Sequence, residues 1–345
     1  MKLMRKLSLL LLAVALLTAC SKPAAPAPAA SATPAPAPAP APTALKPVSL
    51  VLDWYPNAAH AFILAAQEQG FFKAEGLTVD LKMPAENPTD GIKLVGAGKE
   101  TFALYYQPDV LLARGEGIPI VSVAAIVRHP LNGIMVPTAS GIKSPKDLVG
   151  KQVGYPGIPL NESMVKTMVT TNGGDPAKVT LTDVSFDLIP AIATKQVPAI
   201  AGGFLNHEKL VLEKQGIPMT YFAPTDFGVP NYYELVLIAG EQTVKQDRAT
   251  VDAFWRALAK GQDWVKKNPD AAVKLLVAKQ SKDFPLEADV ETQSLQILLK
   301  LMEDPGVPFG AQSQQDWTKV AAWMAAQGAL KATINPADAF VSITK

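Results

Sequence analysis

Short apolar, β-branched runs alternate with helical segments that end in glycine, and this alternation constrains the fold more than any other feature. From Lys46 the chain reads PVSLVLDW (strand), AAHAFILAAQEQGFFKAEG (helix), LTVDLKMP (strand), DGIKLVGAGK (helix), TFALYYQ (strand), PDVLLARGEG (helix) and IPIVSVAAIV (strand). Strands this apolar need cover on both faces, and helical crossovers supply it, so the pattern predicts parallel βαβ units. Near Gly133 the pattern restarts. GIMVP, KQVGYPG, KVTLTDVSF and VPAIAGGF read as strands, and NESMVKTMVTTNGG, DLIPAIATKQ and NHEKLVLEKQG as helices. In SPKDLVG, Ser144 is placed to cap a short helix with Pro145 at its first position. After ELVLIAG, Glu234 to Gly240, the chain reads as helical nearly to its end. About 300 residues follow Lys46, more than one core commonly holds, so two α/β lobes with a helix-rich C-terminal part are expected.

The N-terminus specifies a compartment. Lys2, Arg5 and Lys6 precede the run LSLLLLAVALL, and Leu17-Thr18-Ala19 leads into Cys20. This is the three-part pattern of a secretory signal, too short in its apolar part for a standard spanning helix. Small residues before a cysteine resemble the lipobox of bacterial lipoproteins, which implies acylation of Cys20. That is the chain's only cysteine, so an intramolecular disulfide, a CxxC site and a cysteine nucleophile are excluded from the mature chain. Residues 20–45, rich in alternating Ala and Pro, read as an extended spacer that could reach about 70 Å in polyproline geometry. Removing residues 1–19 takes away three cations and no anion, turning the formal charge from +1 to −2. No basic run is interleaved with aromatics, so no nucleic-acid partner is expected.

Catalytic motifs give no positive signal. GxSxG, HExxH, GxxxxGK[ST] and GxGxxG at a strand–helix turn are all missing from the sequence. His60, His129 and His207 lie far apart without metal-ligand spacing, so neither a metal nor a cofactor is expected. What recurs is aromatic and amide residues at strand ends: Trp54 after the first strand, Tyr106 and Gln107 after the third, Tyr155 with Glu162 beyond it. Phe204, Asn206 and Glu208 in GGFLNHE, and Tyr232 in DFGVPNYYE, complete the set. Carboxyl ends of strands in a doubly wound sheet share one edge, where such turns converge on a cleft. Aromatic rings stack on planar ligands, while amides and carboxylates bond their edges. Tyr105 and Tyr106 point to opposite faces, so at most one serves a given cleft.

The stretch LDWYPNAAHAFILAAQEQGFFKAEGLTVDL resembles the opening of substrate-binding proteins of bacterial ABC importers for thiamine pyrimidine precursors. The likeness continues through LVGAGK, ARGEGIPIVSVAAI, SPKDLVGKQVGYPG, GGFLNHE and DFGVPNYYELVLIA. It implies a two-lobe type II periplasmic binding protein fold with the ligand between the lobes. Lobe one would span 46–132 plus 240–345 and lobe two 133–239. The resemblance places Trp54 opposite Phe204 or Tyr232 around a pyrimidine ring, with Glu208 on its amino and nitrogen edge. Asn57, His60, Tyr106 and Gln107 would line the site from lobe one, and Tyr155, Glu162 and Asn206 from lobe two. The implied function is capture of an aminopyrimidine-like ligand, formylaminopyrimidine or hydroxymethylpyrimidine, by lobe closure. The implied partners are an ABC permease and, through Cys20, a membrane, with a monomeric body facing the periplasm or the cell exterior.

Other cargoes of the same fold are riboflavin and alkanesulfonates, nitrate or taurine. An anion site would want Arg, Ser and helix N-termini, against the aromatic, amide and carboxylate set here. A remote alternative is an enzyme related to the fungal pyrimidine synthase. Gln107 stands where that enzyme has its sacrificial histidine, and its cysteine-rich run is missing.

Overall fold

The computed structural model describes residues 44–84, 87, 89–282 and 284–343. The expected signal, Cys20 and nearly all of the expected Ala/Pro spacer therefore lie outside the described residues. Ten strands are described: β1 (Lys46–Val51), β2 (Leu77–Lys82), β3 (Phe102–Tyr105), β4 (Ile120–Val127), β5 (Asn132–Pro137), β6 (Gln152–Tyr155), β7 (Thr180–Asp183), β8 (Ile200–Phe204), β9 (Met219–Phe222) and β10 (Leu235–Gly240). They form two five-stranded sheets, ordered β2-β1-β3-β10-β4 and β7-β6-β8-β5-β9. Every residue of β4 and β10 is buried, which is why both read as unbroken apolar runs.

The sheets are mixed, where the sequence predicted parallel units. β1 runs parallel to β2 and β3, but β10 is antiparallel to β3 and β4. In the second sheet β6 is parallel to β7 and β8, and β5 is antiparallel to β8 and β9. The odd strand in each sheet is the one entered directly from the other sheet, without a helical crossover to reverse its direction. This corrects the expected lobe boundaries. β10 was assigned to lobe two up to residue 239, yet it is bonded on both edges inside the first sheet. Asn132, assigned to lobe one, opens β5 of the second sheet.

The chain thus passes between sheets at 128–131 and 223–234, and the two passages are laced together. Glu234 Oε2 accepts the backbone N–H groups of Leu131 (2.6 Å) and Asn132 (2.9 Å). Asn231 Nδ2 donates to the Arg128 carbonyl at 3.1 Å.

The C-terminal region covers the first sheet. Its longest helix, Arg248–Lys267, lies so close to Ala61–Glu68 that a Cβ on Gly261 would stand 2.2 Å from the Phe62 carbonyl oxygen. Other C-terminal side chains reach the second lobe. Trp323 Nε1 donates to Thr167 Oγ1 at 2.9 Å, and Lys214 pairs with Glu287 and Asp289. Among the described residues no helix is long and apolar enough to cross a membrane.

Candidate ligand-binding cleft

The first wall is built by the turn after β1. Asn57, extended at φ −147°, accepts the Ala59 N–H on its side chain at 2.9 Å. In return His60 Nδ1 accepts the Asn57 N–H at 3.2 Å, closing a reciprocal cap. With Nδ1 an acceptor, Nε2 carries the proton and donates to Asp53 Oδ1 at 3.0 Å. Tyr106 Oη donates to the other oxygen, Asp53 Oδ2, also at 3.0 Å. A second carboxylate, Glu291, accepts the Ala58 N–H at 2.8 Å. These bonds hold the turn, and Trp54 projects from it, edge-on to Phe186 of the second lobe with centroids 4.5 Å apart.

The facing wall comes from the second sheet. Asn132 opens β5, Ile158 and Asn161 begin the Pro159–Thr171 helix, and Gly202 and Phe204 end β8. Glu208 Oε2 accepts the Phe204 N–H at 2.7 Å, which folds the acid back under the strand end. Gly202 sits at φ +103°, and a Cβ there would stand 2.7 Å from Pro156 Cδ and 3.2 Å from Asn161 Nδ2. Only glycine leaves that surface open.

Nine residues line one interlobe cleft: Trp54, Asn57, Tyr106, Asn132, Ile158, Asn161, Gly202, Phe204 and Glu208. Its innermost space is about 10 Å3, room for about one water molecule. Trp54, Asn57 and Glu208 also border an outer chamber of about 310 Å3, walled by Phe186, Phe284, His207 and Glu291. Among the described residues, three buried polar atoms of the inner cleft have no partner: Nδ2 and Oδ1 of Asn161 and Oδ1 of Asn132. Buried amides are ordinarily satisfied, so these atoms keep hydrogen-bonding capacity at the cleft wall.

Five expected residues meet in this cleft: Trp54, Asn57, Tyr106, Phe204 and Glu208. Six do not. His60 is 1% exposed and both its ring nitrogens are occupied within the first lobe, so it holds the turn rather than lining the cleft. Gln107 is fully buried and outside the lining, its Oε1 accepting the Tyr233 backbone N–H at 2.8 Å. Asn206, fully buried and outside the lining, donates to Ser294 Oγ at 2.9 Å. Tyr232 is fully buried and donates to Glu234 Oε2 at 3.2 Å, which leaves Phe204 as the second-lobe aromatic that lines the cleft. Tyr155 Oη donates to Glu162 at 2.9 Å, and Glu162 borders a different chamber.

Asn132, Ile158, Asn161 and Gly202 are the lining residues that sequence reasoning missed. Asn161 precedes Glu162 by one position, and one helical step rotates a side chain by about 100°. Choosing the more strongly charged neighbour therefore selected the wrong face.

Electrostatically the region is rich in acceptors. Burial pushes the Glu234 carboxyl up to about 7, against the lowering effect of the bonds it accepts from Asn132, Leu131 and Tyr232. Burial and the Asp53 charge drive Tyr106 well above the ordinary phenol range, so it stays a neutral donor. Burial alone would lower His207, but Glu208 and Glu291 outweigh it and raise its pKa. Its Nδ1 lies 3.4 Å from Glu291. The arrangement suits a flat molecule bearing N–H groups.

Known proteins agree with this architecture. The chain is 48% identical over 302 residues to the formylaminopyrimidine-binding protein of Halalkalibacterium halodurans, covering 87% of this chain and 91% of that protein. It is 29% identical to the riboflavin-binding protein RibY of Chloroflexus aurantiacus, across 98% of this chain and 97% of the relative. The alkanesulfonate-binding protein SsuA of Xanthomonas axonopodis pv. citri superposes with a TM-score of 0.69 at 15% identity, covering 88% and 100% of the two chains. The fold is accordingly the two-lobe fold of periplasmic binding proteins. A family model described as NMT1/THI5 like matches residues 57–272, and the chain belongs to the NMT1/THI5-like family.

Proposed function

We propose that this chain is the substrate-binding component of an ABC importer and captures a planar aminopyrimidine, formylaminopyrimidine or hydroxymethylpyrimidine, between its lobes. The observation that carries the reading is the cleft itself: Trp54 and Phe204 present rings from opposite lobes, and Glu208, Asn132 and Asn161 bring polar atoms to the space between. The 48% identity to a formylaminopyrimidine-binding protein supports the ligand class. In this reading the two rings flank the pyrimidine, Glu208 accepts from its amino group, and the unpaired amide of Asn161 meets a ring nitrogen.

The inner space is too small for a ring while the lobes stay as they are, so capture proceeds by parting and re-closing about the 128–131 and 223–234 passages. Ligand contacts from both walls then favour the closed form, which docks on the permease. A ligand group left unpaired in the closed cleft costs on the order of 1–3 kcal/mol, which separates near-isosteres. The protein works as a binder in this reading, which the 48% identity to a formylaminopyrimidine-binding protein supports, and Gln107 stands where the related synthase has its sacrificial histidine. Export, acylation at Cys20 and a monomeric body on a spacer complete the proposal.

Isothermal titration of the chain with formylaminopyrimidine, hydroxymethylpyrimidine, riboflavin and taurine tests it. Submicromolar binding of an aminopyrimidine alone is expected. Binding of riboflavin instead would keep the importer and change its cargo; silence from all four would overturn the assignment.

A further inference from the structure

Asp109 and Pro159, beside the contact between Asp109 and Leu160, line a further chamber of about 460 Å3 that the cleft reading does not use. Its floor carries two buried polar side chains, Tyr105 and Asp109, 1% and 3% exposed. Asp109 Oδ1 accepts the Leu160 N–H of the second lobe at 3.2 Å, while Asp109 Oδ2 and Tyr105 Oη are buried without partners among the described residues. Ile92, Leu112 and Pro159 supply apolar walls, and Glu162 adds a carboxylate from the second lobe. The two cations on the rim are already matched: Lys331 pairs with Glu116 at 2.6 Å and Lys93 with Asp90 at 3.4 Å. Among the described residues, an acid with no cationic partner and a phenol with no partner stand beside apolar walls, which defines a complementary charge and polarity.

We propose that this chamber is a second ligand site, for a small organic cation with a flat apolar body. Its ammonium or amidinium group meets Asp109 Oδ2, and Tyr105 Oη accepts a second N–H. Burial raises the Asp109 carboxyl to about 8, opposed by the bond from Leu160 and reinforced by the Glu234 and Glu162 charges. An incoming cation supplies the missing countercharge. Because Tyr105 and Asp109 belong to the first lobe and Pro159 and Glu162 to the second, an occupant touches both.

Benzamidine is the probe, with benzamide as its neutral isostere, titrated calorimetrically into the full chain. One site is expected, at least tenfold weaker for benzamide. Asp109→Asn and Tyr105→Phe should each weaken benzamidine binding about tenfold, and Trp54→Ala in the other cleft should leave it unchanged. If Asp109→Asn does not fold, Tyr105→Phe together with Leu112→Trp, which fills the chamber, decides. Benzamidine affinity that ignores Tyr105→Phe and Leu112→Trp, that vanishes with Trp54→Ala, or that matches benzamide overturns the proposal, as does no binding at millimolar concentration.

Discussion

Glu234 Oε2 lies 2.9 Å from the backbone nitrogen of Asn132, tying the last residue before β10 to the first residue of β5. One carboxylate oxygen therefore joins both passages between the sheets, since it also accepts from Leu131. Glu234→Ala would leave two buried N–H groups unpaired, at about 1–3 kcal/mol each. The expected loss is about 2–6 kcal/mol in urea denaturation, and less for Glu234→Gln, which keeps an acceptor.

Stability should also depend on pH through the two carboxyls whose pKa is raised, Glu234 to about 7 and Asp109 to about 8. A folded-state pKa above the unfolded value means that the folded chain holds the proton more tightly. Their contribution is therefore full below about pH 4 and is lost as pH rises through 7 to 8. The melting temperature is expected to fall from pH 5 to pH 8.5, and Asp109→Asn should flatten that slope. An unchanged slope would show that Asp109 titrates normally.

Trp54 and Glu208 meet in the cleft from opposite lobes. Trp54→Ala removes a stacking ring and Glu208→Gln a carboxylate acceptor, so aminopyrimidine affinity should drop at least tenfold in each. Calorimetric affinities within threefold of the parent would mean that the ligand sits elsewhere.

His60 offers the opposite expectation, because its ring serves the turn and not the cleft. His60→Ala strips the Asn57 N–H of its acceptor and Asp53 of a donor. A loss of about 1–3 kcal/mol in chemical denaturation is expected, with a smaller effect on affinity than Trp54→Ala.

Gly202→Ala probes the shape of the second wall. The added methyl must stand at φ +103° against Pro156 and Asn161. Expected outcomes are weaker aminopyrimidine binding and a lower melting temperature, read from parallel titration and thermal scans.

The division between what was legible and what was hidden follows from the range of the forces involved. Alternating apolar runs and glycine stops specify strands, helices and two α/β lobes locally, because hydrophobic periodicity and turn chemistry act within a few residues. That Trp54, Asn57, Tyr106, Phe204 and Glu208 stand together at one cleft was legible for the same reason, as each ends a strand or opens a helix at the sheet edge. Direction and pairing were not. β10 looks like any apolar strand, and only its bonds to β3 and β4 make it antiparallel and place it in the first sheet. Nor could the sequence say that Asp53 lies beside His60, that Tyr232 turns inward to Glu234, or that Asn161 rather than Glu162 faces the cleft. The sequence by itself determined the elements and the chemistry available at their ends. Tertiary structure decided which of those groups bond to the fold and which remain for a ligand, because a buried polar atom takes whatever partner packing brings within reach.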